Sequence, residues 1–192
     1  MKKVREETLA PARVRDRIRL TALLAMLAAM GIVLGKFLQI PIGNSIRISF
    51  ENLPTLFAGV AFGPFCGAVV GLVEDLVGSI LAGYAINPFI TLGAASIGAV
   101  SGAAALLVKK ITGTAEICKY LHIVCAVFPA HLIGSVIIKS AALRVAFGTP
   151  YSMLALRIPI YLIANVAAES AIIAVLLQNG AVRGAVRNLR SK

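Results

Sequence analysis

Residues 47–108, RISFENLPTLFAGVAFGPFCGAVVGLVEDLVGSILAGYAINPFITLGAASIGAVSGAAALLV, decide how this chain folds. They begin as a charged polar loop, RISFEN, and continue into glycine-rich apolar segments too greasy for a soluble domain. Polar residues return at 84–88, where YAINP interrupts what would otherwise be continuous membrane. Gly63-Pro64 breaks the first apolar run, because a proline inside a helix forfeits a backbone hydrogen bond. Glycines recur every fourth residue at Gly59, Gly63, Gly67 and Gly71, and Ala94, Gly98 and Gly102 repeat the spacing. Small residues four apart let membrane helices approach closely. The stretch reads as a solute site held in a helical membrane bundle.

Composition agrees on both sides of it. The 192 residues are 59% hydrophobic and 14% charged, with mean hydropathy +0.91, whereas soluble domains carry about a quarter charged residues. A span needs roughly 20 apolar residues. The expected spans are residues 18–38, a short one at 53–62, 65–82, 89–108, 120–142 and 157–177. The fold expected is an all-α integral membrane protein, a compact bundle of six transmembrane helices. It divides into a basic cytoplasmic arm (1–17), the membrane domain (18–178) and a basic cytoplasmic tail (179–192).

A net charge of +11 raises the question of a nucleic-acid partner. Fourteen of the 19 basic residues flank apolar runs, at Lys2, Lys3, Arg5, Arg13, Arg15, Arg17 and Arg19, at Lys109, Lys110 and Lys119, and at Arg183, Arg187, Arg190 and Lys192. That is the positive-inside pattern of cytoplasmic loops, and six spans then place both termini in the cytoplasm. Nucleic-acid binding is a poor reading of such a distribution. Cys66, Cys118 and Cys125 form no even framework for disulfides. Cys118, His122, Cys125 and His131 have gaps that match no standard zinc arrangement. Gly31 to Lys36 lacks one residue of a phosphate loop and the Ser or Thr after the lysine, so no nucleotide is expected. No catalytic motif, metal or cofactor is expected.

The same topology gathers Arg47, Glu51, Tyr84, Asn87, Arg144 and Arg157 at one outer mouth. Arg47 and Glu51 are either a surface ion pair or a recognition pair, the guanidinium holding a carboxylate and the glutamate accepting from an amino-substituted ring. Asn87 precedes Pro88 and either caps a helix or reaches a ligand. Glu74, Asp75, Lys139 and Glu169 fall inside spans, where an unpaired charge is costly, so they should face the interior or a wet cavity. Glu74 and Asp75 are about 100° apart on a helix and should not share one partner. In the first span Ala25 and Ala29, and Gly31 and Gly35, are pairs of small residues four apart.

RISFENLP followed by FAGVAFGPFCGAVVGLVEDLVGSILAGYAINPFITLGAASIGAVSG resembles the S components of energy-coupling factor vitamin transporters, and within them the folate family. The likeness covers residues 20–108 well and the rest mainly through topology and the GTPYSMLALRIP loop. It implies a non-enzymatic subunit that captures its vitamin at the outer face and joins a membrane coupling subunit and two cytoplasmic ATPases. The family's Ala-x-x-x-Ala docking pattern falls on Ala25 and Ala29. For folate, the resemblance implies Arg47, Arg144 or Arg157 on the carboxylates, Glu51 and Asn87 on ring edges, and Tyr84 stacking. GYAINP is leaner than the corresponding loop of folate-type relatives, which leaves another vitamin or a modified base open. An intramembrane enzyme and a purely structural membrane protein are the alternatives of other classes.

Overall fold

A computed structural model describes residues 2–42, 46–113 and 120–190. The chain runs α1 (Lys2–Phe37), β1 (Gln39–Ile42), β2 (Ile46–Ser49), α2 (Leu53–Phe62), α3 (Pro64–Ala82) and α4 (Pro88–Thr112). It continues through α5 (Tyr120–Ala130), a π-helical segment (His131–Ile138) and α6 (Lys139–Phe147). Then come α7 (Tyr151–Pro159), a second π-helical segment (Ile160–Asn165), α8 (Val166–Gln178) and α9 (Gly180–Arg190). It is an all-α membrane bundle, with one small antiparallel hairpin pairing Pro41 with Arg47. The alternating IRIS segment supplies the returning strand, as its period of two suggests.

Among the described residues, four helical stretches are long and apolar enough to cross a membrane, and they include residues 14–37 of α1 and the continuous stretch Tyr120–Ala146. A fifth crossing is possible if residues 162–178 and 180–189, bent by 83°, count as one. The short span at 53–62 departs from a simple crossing. Its 10 residues rise about 15 Å, half of an apolar core about 30 Å thick. Every residue from Leu53 to Ala61 is buried, so α2 is an internal half-span wedged among its neighbours. The arm and the first span form one uninterrupted helix, α1.

Glycine explains the tightest contacts. The expected pairing of α2 with α3 exists, but both glycine rows close on α4. A Cβ on Gly98 would strike the Gly67 backbone, one on Gly67 would lie 2.5 Å from the Gly98 carbonyl, and one on Gly59 would strike Ser101. Gly63 makes the α2–α3 turn at φ 104°, a region side chains rarely adopt. Around this crossing lie Leu56, Val60, Ile97, Ile123, Val127 and Ile173, all buried.

Pro129 and Pro159 lie just before the two π-helical segments. A proline supplies no N–H to the turn behind it, and the helix widens locally. The first widened segment carries the buried His131, whose Nε2 meets Glu169 Oε2 at 2.5 Å and whose Nδ1 meets Ser135 Oγ at 3.1 Å. Both side chains are fully buried, so the two intramembrane groups pair between the first π-helical segment and α8, while Glu169 Oε1 has no hydrogen-bond partner among the described residues. Cys118 lies outside the described residues.

Asn87 caps α4, its Oδ1 accepting from the Phe89 N–H at 3.0 Å. Asn87→Ala should cost about 1 kcal/mol of stability, read as a lower melting temperature in detergent. A change in ligand affinity without that loss would assign Asn87 to recognition instead.

Candidate functional site

A cavity of about 180 Å³ opens between α1, α2, α3 and α6. Its polar wall holds Glu51, Asn52, Thr55, Glu74, Asp75, Ser79, Tyr84 and Lys139. Thr55 Oγ1 donates to Glu74 Oε2 at 2.7 Å. Thr91 Oγ1 donates to Asp75 Oδ2 at 2.6 Å. The adjacent carboxylates thus take different partners, one on α2 and one on α4, while lining one cavity. Lys139 Nζ stands 3.9 Å from Glu51 Oε1. Three carboxylates therefore face one ammonium, and the wall is rich in acceptors. Asn52 adds a donor: it is 5% exposed, and its Nδ2 has no hydrogen-bond partner among the described residues.

Glycines in α1 give this wall its shape. A Cβ on Gly31 would strike the Glu74 carboxylate, and one on Gly35 would sit 3.0 Å from Glu51 Cβ. The small pair expected to receive a neighbouring helix instead receives two acidic side chains. Gly78, on the cavity wall, has only Ile32 Cγ1 near its missing Cβ, at 3.9 Å. Gly78→Leu should therefore fold normally and fill the cavity, abolishing vitamin binding in a titration. Binding unchanged by that variant would move the site elsewhere.

The six mouth residues separate. Glu51 and Tyr84 line the cavity. Arg144 is committed to its own loop, Nη1 donating to the carbonyls of Gly148 at 3.4 Å and Thr149 at 3.1 Å, with its guanidinium 4.3 Å from the Tyr151 ring centre. Arg47 lies in β2 and Arg157 in α7, and their side chains lie outside the described residues. Lys139, Thr55 and Asn52 were not singled out as ligand groups by the sequence. Lys139 carried the available signal, a cation inside an apolar span. Ala25 and Ala29 are both exposed on α1, away from the cavity.

The family described as ECF-type riboflavin transporter, S component, matches residues 15–182. The chain belongs to this family. It is a vitamin-binding, multi-pass membrane subunit of an energy-coupling factor transporter, associates with the energy-coupling module and is not an enzyme. No curated protein shows a significant sequence match. Among solved structures, FolT bound with folic acid is 22% identical, with TM-score 0.64 over 84% of this chain and 95% of that one. The S component for biotin from an ECF-type ABC transporter is 18% identical, with TM-score 0.63 over 93% of this chain and 94% of that one. The S component of a bacterial ECF transporter is 20% identical, with TM-score 0.53 over 84% and 95%. At these identities the structures share the fold.

Proposed function

We propose that this S component captures folate, with the pterin ring in the acid-lined cavity. The observation that carries the reading is the wall itself, three carboxylates beside the Asn52 amide, a donor with no partner among the described residues. A pterin edge presents an amino group, a ring N–H and a carbonyl, two donors and one acceptor. Carboxylates accept such paired donors bidentately, and Asn52 donates to the carbonyl. Tyr84 stacks on the ring. A cavity of about 180 Å³ is smaller than the roughly 300–1,000 Å³ of sites for whole drug-sized ligands. The aromatic linker and anionic glutamate tail then extend to the mouth, where Arg47 and Arg157 pair with the carboxylates and Arg144 holds the α6–α7 loop.

The family match favours riboflavin as the second reading. Its pyrimidine edge places one N–H between two carbonyls, and such an edge fits a wall of acceptors less well. Calorimetric titration of the purified protein with folate, riboflavin and biotin separates the readings. Folate should bind on the order of a hundredfold more tightly than either, about 2.8 kcal/mol. Riboflavin binding more tightly would keep the scaffold and overturn the ligand.

The same proposal assigns Ala25 and Ala29 to docking on a membrane coupling subunit that works with two cytoplasmic ATPases, with both termini of this chain cytoplasmic. Because both alanines are exposed, Ala25→Leu with Ala29→Leu should preserve vitamin binding and abolish co-purification with the coupling subunit. Retained co-purification would place docking on another face.

A further inference from the structure

A second concavity lies on the other side of α1, and its wall is apolar. Leu27 and Met30 of α1, Phe57 of α2, Leu176 of α8, and Val182 and Val186 of α9 line about 280 Å³. Helix α9 closes it from one end. Asn179 Oδ1 accepts from the Ala181 N–H at 3.0 Å and starts the helix, which turns 83° from residues 162–178. Val182, Ala185, Val186 and Leu189 recur at helical spacing on one face, and Arg183, Arg187 and Arg190 recur on the next. A helix of this pattern lies in the membrane interface, with its apolar side toward the acyl chains and its cations among the headgroups. Arg183 and Arg187 are exposed, and neither pairs with a carboxylate among the described residues. Arg19, one turn before Leu23, pairs with Asp16 at 3.9 Å and so leaves the headgroup to the α9 arginines.

We propose that this cleft binds one anionic phospholipid, an acyl chain lying against Leu27, Phe57 and Val186 and the headgroup on Arg183 and Arg187. Two features favour this occupant. The lining is apolar, as an acyl chain requires. The only charges at the α9 rim are positive, matching the anionic cytoplasmic leaflet. Ala25 and Ala29 are exposed and are not among the residues lining the cleft.

Native mass spectrometry of the full chain, purified in detergent and exchanged with phosphatidylglycerol or phosphatidylcholine, tests this. One phosphatidylglycerol should be retained, with a preference of about fivefold or more per arginine over phosphatidylcholine. Arg183→Ser with Arg187→Ser should reduce that preference to less than about twofold, the chain remaining folded because both residues are exposed. Ala185→Phe should fill the cleft and release both lipids; if that variant does not fold, the arginine pair decides alone. Equal retention of the two lipids, no retention, or a mass doubled by a second copy seated in the cleft would each overturn the proposal.

Discussion

Glu74→Gln should weaken vitamin binding by about 30- to 100-fold while leaving the protein as stable as before. The carboxylate sits in space vacated by Gly31, held by the Thr55 hydroxyl. A hydrogen bond to a charged group contributes about 1.5–3 kcal/mol when its partner is buried with it. An amide of the same shape keeps an acceptor for Thr55 but turns an N–H toward the donors of the ligand ring. Folding gains little from the charge, because a carboxylate taken out of water is costly to bury. Affinity by calorimetry and melting temperature in detergent should therefore separate. A parallel loss of both would make Glu74 a structural residue.

Gly98→Leu should abolish folding. Added methylenes in a packed core ordinarily cost about 1–3 kcal/mol, because side chains move to accommodate them. At Gly98 the obstacle is the Gly67 backbone, and the same crossing also receives Gly59. Separating α3 from α4 there would open the centre of the bundle, a large fraction of a stability of about 5–15 kcal/mol. Size-exclusion chromatography should show aggregate or no protein, whereas the same replacement at Gly78, in the facing helix α3, should elute as a single species. A monodisperse Gly98→Leu protein would mean that the crossing is looser than its glycines require.

Much of the bundle was legible because the bilayer imposes simple rules on sequence. Apolar length, flanking cations and glycine spacing located the helices, and Gly63-Pro64 marked the turn at which φ reaches 104°. What those rules missed has physical causes. Ten apolar residues look like a span wherever they occur, but α2 is too short to cross alone and is buried on all sides. Glycines spaced by four announce close approach without naming the partner, so α4 as the common partner of α2 and α3 emerged only in three dimensions.

The candidate cavity was legible only in part. Glu51 and Tyr84 could be placed near a mouth from topology, and both line the cavity. Lys139, from the middle of a later span, meets Glu51 because α6 begins beside α4, with the Lys139 stem against Gly93. No local pattern encodes a contact between residues 88 positions apart. Glu74 and Asp75 were rightly expected to take different partners, but Gly31, read as a helix-packing residue, proved to be room for one of them.

The most direct measurement is a structure of the protein with its vitamin bound. The ring should lie between α1 and α3, within hydrogen-bond distance of Glu74 and the Asn52 amide and against Tyr84, with its tail toward β2 and α7. A ring found outside this cavity, with Glu74 and Asn52 contacting only water, would contradict the account.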